Sequence, residues 1–288
     1  DHRDLHSFPT RRSSDLKSKV YYVKNADSTS LIKAYNFLNR QLKGDVAVKL
    51  TAETIDLKFK EIVEPFICLL NGTIVDNNSN IIGANTNKLM QELKQVGLID
   101  LAPVDILDGE GYDEVLGDTT SGVLLNKLYV GKHLKDYNSF AGIAEVSYNE
   151  KLPSCAISSL ALGLTSKEGK SWVLSSGFSG DVDVNISNVS NDSLVIKAIT
   201  ESAKMILDYI TTRNVIFINM LKNNNGYDLF ISTDPVAVDK ASLDVMKKQL
   251  DLKRFALTNK WVNSFENLIK EATILGIGDS NYELVNIN

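Results

Sequence analysis

Between Val20 and Leu107, short β-rich runs alternate with amphipathic helical stretches, and this alternation restricts the fold more than any other feature. Val20-Tyr21-Tyr22-Val23 reads as a first strand. Leu31, Ala34, Tyr35, Leu38 and Leu42 recur at helical spacing, with Ser28 or Ser30 as cap and Gly44 as stop. Asp45–Leu50 reads as a second strand. The helix after it carries Phe59, Ile62, Val63, Phe66, Ile67 and Leu70 on one face, with Pro65 placed to kink or split it. Thr73-Ile74-Val75 is a third strand, Leu89, Met90, Leu93 and Val96 mark a third helix, and Val104–Leu107 a fourth strand. A β-α-β-α-β-α-β order predicts a three-layer α/β fold: a mostly parallel sheet with helices on both faces.

Beyond Leu107 the pattern loosens. Residues 108–128 read as loop, Tyr137–Val146 as containing a strand, and Cys155–Leu164 as an apolar run short enough for helix or strand. Residues 176–193, rich in Ser, Gly, Asn and Asp, read as a surface excursion. Leu194–Ile210, Pro235–Leu250 and Ser264–Leu275 read as helices, and Val215–Met220 and Leu229–Ser232 as strands. The irregular middle leaves room for two lobes divided near residues 108–140.

The first sixteen residues fit none of this. His6–Leu16, HSFPTRRSSDL, corresponds codon by codon to a common short-read sequencing adapter, and the stretch has neither an apolar core nor an amphipathic Arg-rich helix that would make it a targeting peptide. Residues 1–16 are therefore expected to be an artefactual or disordered tail and residues 17–288 the domain. His2 and His6 leave with the tail, so His133 is the one remaining histidine, and a histidine-rich metal site within one chain is excluded. The net charge of −5 offers no basic excess to track a phosphate backbone, so no nucleic-acid partner is expected. No apolar run approaches the roughly 18–20 residues that span a bilayer. Cys68 and Cys155, the only cysteines, cannot build a disulfide framework or hold an iron–sulfur cluster unaided. They fit a reducing, cytoplasmic setting.

Few local motifs carry chemistry. Gly163–Ser171 (GLTSKEGKS) has five residues before its Gly-Lys pair where a phosphate loop needs four, so it reads as a turn. Ser175–Gly180 (SSGFSG) is a weak anion nest. No G-x-G-x-x-G follows the first strand, so no nicotinamide cofactor is expected. A serine triad would have to use His133, with no nucleophile elbow to accompany it. Cys68 falls on the apolar side of its helix and reads as core, while Cys155, beside Pro153, reads as the more accessible thiol. The strongest local candidate is Thr233–Asp239 (TDPVAVD), which follows a strand and opens a helix. Asp234 can cap that helix, with Pro235 at its favoured first position and Asp239 one turn on. The two carboxylates read equally as a site in a strand-end crevice or as a cap and a buried polar tie.

Several segments together resemble a known family. YVGKHL (Tyr129–Leu134), SKEGKSW (Ser166–Trp172), TDPVAVD, LGIGDSNYELVNIN (Leu275–Asn288), KVYYV near the start and NGTIVD (Asn71–Asp76) appear in the order found in the bacterial and archaeal domain-of-unknown-function family 362. The resemblance covers nearly all of residues 17–288. It implies a single α/β unit, often associated with ferredoxin-type iron–sulfur segments, and no established reaction. The departures fall where the family carries its polar equipment. The resemblance places a His-Phe-Lys-Gly-His segment near Ala144–Tyr148 and a Gly-rich run ending in Lys-Asn at Ser158-Ser159, and this chain has lost those histidines, both lysines and most of the glycines. A Cys-x-Cys segment before the DPVA motif is replaced by Asn223–Tyr227, and an early Gly-rich loop by TAETID (Thr51–Asp56).

Losing imidazoles, lysines and thiolates together argues for a divergent member without the iron–sulfur site, one that binds a small molecule or protein partner rather than catalysing redox chemistry. No cofactor or metal is expected. The rival reading is an enzyme that uses what the chain shares with the family pattern, Lys132, His133, Glu168, Lys170, Asp234 and Asp239, for proton transfer. Convergence of these six on one pocket would favour it. A third reading, a pseudo-subunit paired with an intact relative, would require a large exposed apolar patch.

Overall fold

In the computed structural model the described residues are 17–50, 55–79, 85–117, 122–147, 152–180, 193–210, 214–249 and 256–287. The tail at 1–16, most of TAETID and residues 181–192 of the expected surface excursion lie outside them. The strands are β1 (Ser18–Val23), β2 (Val46–Lys49), β3 (Thr73–Asp76), β4 (Val104–Ile106), β5 (Tyr112–Leu116), β6 (Lys127–Gly131), β7 (Ser139–Val146), β8 (Asn214–Asn223), β9 (Gly226–Ser232) and β10 (Tyr282–Asn286). The helices are α1 (Ser30–Phe37), α2 (Leu57–Leu70), α3 (Thr86–Gln95), α4 (Ala156–Gly163), α5 (Lys167–Leu174), α6 (Ser193–Ile210), α7 (Pro235–Gln249) and α8 (Ala256–Ile274), with a 3-10 turn at Lys132–Asp136.

Eight strands form one sheet in the order β10-β1-β9-β8-β7-β2-β3-β4. Strict alternation sends its side chains to two apolar clusters. Ala47, Phe140, Val215, Phe217 and Phe230 pack with α4, α6, α7 and α8 on one face. Val46, Val48, Ile216, Ile218 and Ile231 pack with α1, α2 and α3 on the other. Both faces are thus covered, which is why the central strands read as near-continuous apolar runs. The fold is three-layer α/β, as the alternation predicts.

One strand runs against the others. β8 and β9 are joined through Asn224-Asn225, with Asn223 paired to Gly226. A connection this short cannot cross over, so β9 pairs antiparallel to β8 and to β1. β7 pairs parallel with β8 and β2, and β2 and β4 both pair parallel with β3. From β2 the chain moves outward to β3 and β4, and from β7 it moves the other way to β8. The β2–β7 boundary is therefore a topological switch point, where open α/β sheets place ligands outside the carboxyl ends of the strands.

β5 and β6 form a separate antiparallel pair. Leu128 and Val130 on its inner side join the cluster beneath α4 and α6. Its loop is tied to α6 by Glu201, whose carboxylate accepts the N–H groups of Val123, Leu124 and Leu125 at 2.7–2.9 Å.

Several local readings change. α1 ends at Phe37 rather than running to Gly44, because Asn39 turns into the left-handed region (φ 49°) and Leu42 folds back to donate to the Tyr35 hydroxyl. Pro65 lies inside an uninterrupted α2. It withdraws one N–H from the carbonyl of Glu61, which sits on the exposed side of the helix. The left-handed Asn71 (φ 47°) caps α2. Cys68 is exposed rather than core: the buried stripe of α2 is Phe59, Ile62, Val63, Phe66 and Ile67, and Cys68 falls one position beyond it. The apolar run after Cys155 is helix α4, and the closing segment contributes β10, paired parallel to β1.

Candidate functional site

The carboxyl ends of β2, β3 and β4 share a property invisible in any one of them: each ends in or leads into a buried polar residue. Lys49, Asp76, Asn77, Asn78 and Asp108 are all less than a tenth exposed. Lys49 ends β2 and reaches Asp76 at the end of β3, Nζ to Oδ1 2.9 Å. Asp76 also accepts the N–H of Asn77. Beyond β4, Asp108 accepts the backbone and side-chain N–H groups of Asn78 at 2.8 and 3.0 Å through Oδ1. Its other oxygen accepts the N–H of Lys167, the first residue of α5, at 2.9 Å. A carboxylate there complements the positive end of the helix. The Lys170 ammonium, one turn further along α5, donates to the backbone carbonyls of Asn77 (3.2 Å) and Asn78 (2.8 Å).

Among the described residues, two acceptors in this array have no donor. The side-chain oxygens of Asn77 and Asn78 are buried and unpartnered, although the Asn77 amide donates to Gly163 and that of Asn78 to Thr86 and Asp108. A buried polar atom left unpaired costs about 1–3 kcal/mol, and native folds rarely tolerate adjacent cases without a reason.

Helix α5 covers this polar cluster at the strand ends, where open α/β sheets have their ligand crevice, and its sequence explains its position. Ser166 caps it by accepting the N–H of Gly169, and Glu168 accepts from the Ser166 hydroxyl. This accounts for Ser166–Glu168 as helix-start chemistry and not as a phosphate loop. Gly169 lies against β6: a Cβ there would fall 2.1 Å from the Tyr129 carbonyl oxygen. Gly169→Ala is therefore expected to force α5 outward and cost about 1–3 kcal/mol, read as a lower urea midpoint. An unchanged midpoint would contradict this packing.

The six sequence-derived residues fall in separate places. Glu168 and Lys170 belong to α5 beside the crevice. His133 stands off its edge: Nδ1 pairs with Asp105 Oδ1 of β4 at 2.8 Å, Nε2 lies 3.6 Å from Glu110, and Tyr137 donates to the other oxygen of Asp105. The Asp105 hydrogen bond raises the His133 pKa above its ordinary 6.5. A histidine raised in this way stabilises the fold below pH 6.5, and that contribution is lost as pH rises through the folded value. The thermal midpoint is expected to fall between pH 6 and 8 by a component that disappears in Asp105→Asn. Equal slopes in both proteins would contradict the pairing. Lys132 is exposed and donates its backbone N–H to Gly111.

TDPVAVD does not reach the crevice. Because β9 runs antiparallel, its carboxyl end lies among the amino ends of the parallel strands, opposite the carboxyl ends of β2, β3 and β4. Asp234 caps α7 through the N–H groups of Val236 and Ala237, and its second oxygen accepts from Ser18 and Asp279. Asp239 is fully buried and ties three elements together. It accepts from Ala156 N (2.8 Å) and Ile157 N (2.9 Å) at the start of α4 and from Asn219 Nδ2 (2.7 Å) of β8. Burial lifts its carboxyl to about 6, against the pull of those hydrogen bonds. Cys155, expected to be accessible, is 0% exposed, and burial with the nearby Asp239 charge pushes its thiol well up. It lies inert under the α4 N-terminus.

The iron–sulfur association implied by the resemblance does not fit these residues. One cysteine is exposed on α2 and the other sealed in the core on the opposite face of the sheet, so no thiolate set is assembled. Among the described residues no group of three or more His, Cys, Asp or Glu is placed to hold a metal ion, and no helix is long and apolar enough to cross a membrane.

Sequence reading missed Lys49, Asp76, Asn77, Asn78 and Asp108. The available signal was that the runs VAVK, TIVD and VDILD each close on a charge.

Solved structures similar to the chain include the following two. A protein from Thermotoga maritima, a structural-genomics target, matches at a TM-score of 0.48 and 12% identity over 86% of this chain and 58% of its own. The lactate racemase apoprotein from Thermoanaerobacterium thermosaccharolyticum matches at 0.45 and 12% over 76% of this chain and 55% of its own. The chain thus spans less than two thirds of either. No protein-family model and no curated protein matches it, so the family resemblance rests on the segments quoted above.

Proposed function

We propose that the chain is a non-redox small-molecule-binding protein whose site is the crevice at the carboxyl ends of β2, β3 and β4, under the α5 ledge. The observation that carries this is the pair of donorless amide oxygens on Asn77 and Asn78, set among Lys49, Asp76, Asp108 and Lys170 beside the switch point. Polar residues that burden stability and gather where the fold receives ligands are the expected mark of a site. The missing partners are donors, so the ligand presents N–H or O–H groups. Both oxygens are sealed from solvent, so entry requires α5 and Lys170 to shift. The rival enzyme reading gains from the orientation of His133 by Asp105. It loses from the dispersal of its six residues over the crevice edge, the β9–α7 cap and the core.

A thermal-shift panel of amines, amides, amino acids, polyols and nucleosides against the full chain tests this. At least one compound is expected to raise the midpoint, with the shift lost in Lys170→Met and in Asn78→Leu. No stabiliser, or shifts that survive in both variants, would overturn it. Anaerobically purified protein is expected to carry no stoichiometric iron–sulfur chromophore; finding one would overturn the non-redox part.

A further inference from the structure

The outer face of the β5–β6 hairpin holds a second group of side chains that the crevice does not use. Tyr112, Glu114 and Leu116 point outward from β5, and Lys127 and Tyr129 from β6, with Glu114 directly opposite Tyr129. Trp172 of α5 extends the row and is fixed by its indole N–H, which donates to the Lys127 carbonyl at 3.1 Å. The rings meet edge to face: Tyr112 and Tyr129 at 4.9 Å and 66°, Tyr129 and Trp172 at 6.1 Å and 74°. This makes a corner rather than a flat platform.

The corner holds a cation. The Lys127 ammonium lies 5.2 Å from the Tyr129 ring centroid and 5.7 Å from that of Trp172, and 3.2 Å from the Glu114 carboxylate. Ring faces with a carboxylate are the chemistry by which proteins recognise organic ammonium groups, through the negative faces of the aromatic rings. The corner is open to solvent: Tyr112 is 45% and Leu116 76% exposed. Its occupant is the end of a flexible four-carbon arm, which can swing out without disturbing the strand that carries it.

We propose that this corner is a binding site for an organic cation, a primary or methylated ammonium group on a small ligand, and that Lys127 is its resident competitor. An incoming ammonium displaces the Lys127 head group into water and takes over the two ring faces and Glu114. Surface contacts of this strength handicap the ligand by about tenfold. The site is independent of the crevice, although α5 contributes Trp172 to one and Lys170 to the other.

The test titrates tetramethylammonium chloride into the full chain at constant ionic strength, read by tryptophan fluorescence. Trp261, the other tryptophan, is buried. Lys127→Met is expected to show saturable quenching with a Kd about tenfold below that of the unmodified chain. Trp172→Leu, read by line broadening of the tetramethylammonium methyl protons because it lacks the reporter, is expected to abolish the response, and Glu114→Gln to weaken it several-fold. Lys127→Gln replaces the methionine variant if the latter lowers the unfolding midpoint. No saturable response in a folded Lys127 variant, or a response that persists in Trp172→Leu, overturns the site. Equal affinity with and without Lys127 overturns its role as competitor.

Discussion

Asp239→Ala is expected to destabilise the protein by about 3–5 kcal/mol near pH 5. The carboxylate joins α7 to β8 and to the start of α4, and its removal strands the N–H groups of Ala156 and Ile157 in the core and leaves the Asn219 amide with Ser242 alone. Each stranded donor costs about 1–3 kcal/mol. The pH dependence has a definite sign. Burial lifts the folded carboxyl from 3.8 to about 6, so the folded state holds its proton more tightly than the unfolded state. The contribution of Asp239 is greatest below pH 4 and declines as pH rises through about 6. The penalty of Asp239→Ala should therefore shrink from pH 5 to pH 8, as read by urea unfolding at each pH. Asp239→Asn keeps the volume but turns an amide NH2 toward a backbone N–H, and should fall between the two. A penalty that grows with pH would contradict this account.

Lys49→Met is expected to cost a similar amount, about 3–5 kcal/mol, because it leaves Asp76 buried without its cation. The methionine fills the space of the lysine stem, so the loss reports the charge and not a cavity. Lys49→Met/Asp76→Asn should recover most of the stability, since replacing both members of a buried pair is often neutral. The asparagine oxygen can still accept from Asn77 N, which Asp76 holds at 2.8 Å. A double-mutant cycle should give a coupling above about 1 kcal/mol. Strictly additive losses would show that the two charges do not depend on each other.

How much of this was legible in the sequence follows from the range of the interactions. The alternation from Val20 to Leu107 is local, and it specified the layers. TDPVAVD was equally legible as a helix start, and Asp234 caps α7 as its spacing implies. What that motif does for function was misplaced, because its position depends on strand direction. Direction is decided by the short Asn224-Asn225 connection, which reverses β9 and carries Asp234 to the amino ends of the parallel strands, away from the crevice. The crevice itself was hidden for a related reason. Lys49, Asp76 and Asp108 lie far apart in the chain and meet only because β2, β3 and β4 are neighbours in the sheet. Cys68 and Cys155 exchanged their expected places because one residue of helical rotation, or one cap position, decides exposure. The aromatic corner needs a helix residue, Trp172, to meet a hairpin whose first strand, β5, lies inside a stretch that reads as loop.

The central claim, that ligands enter at the carboxyl ends of β2, β3 and β4, is most directly tested by hydrogen–deuterium exchange of the full chain with and without the strongest stabiliser from the thermal-shift panel. The account predicts new protection confined to segments around Asp76–Asn78, Leu107–Asp108 and Gly163–Lys170. Protection appearing instead around Cys155–Ser158 and Asp234–Asp239, with the crevice segments unchanged, would contradict it.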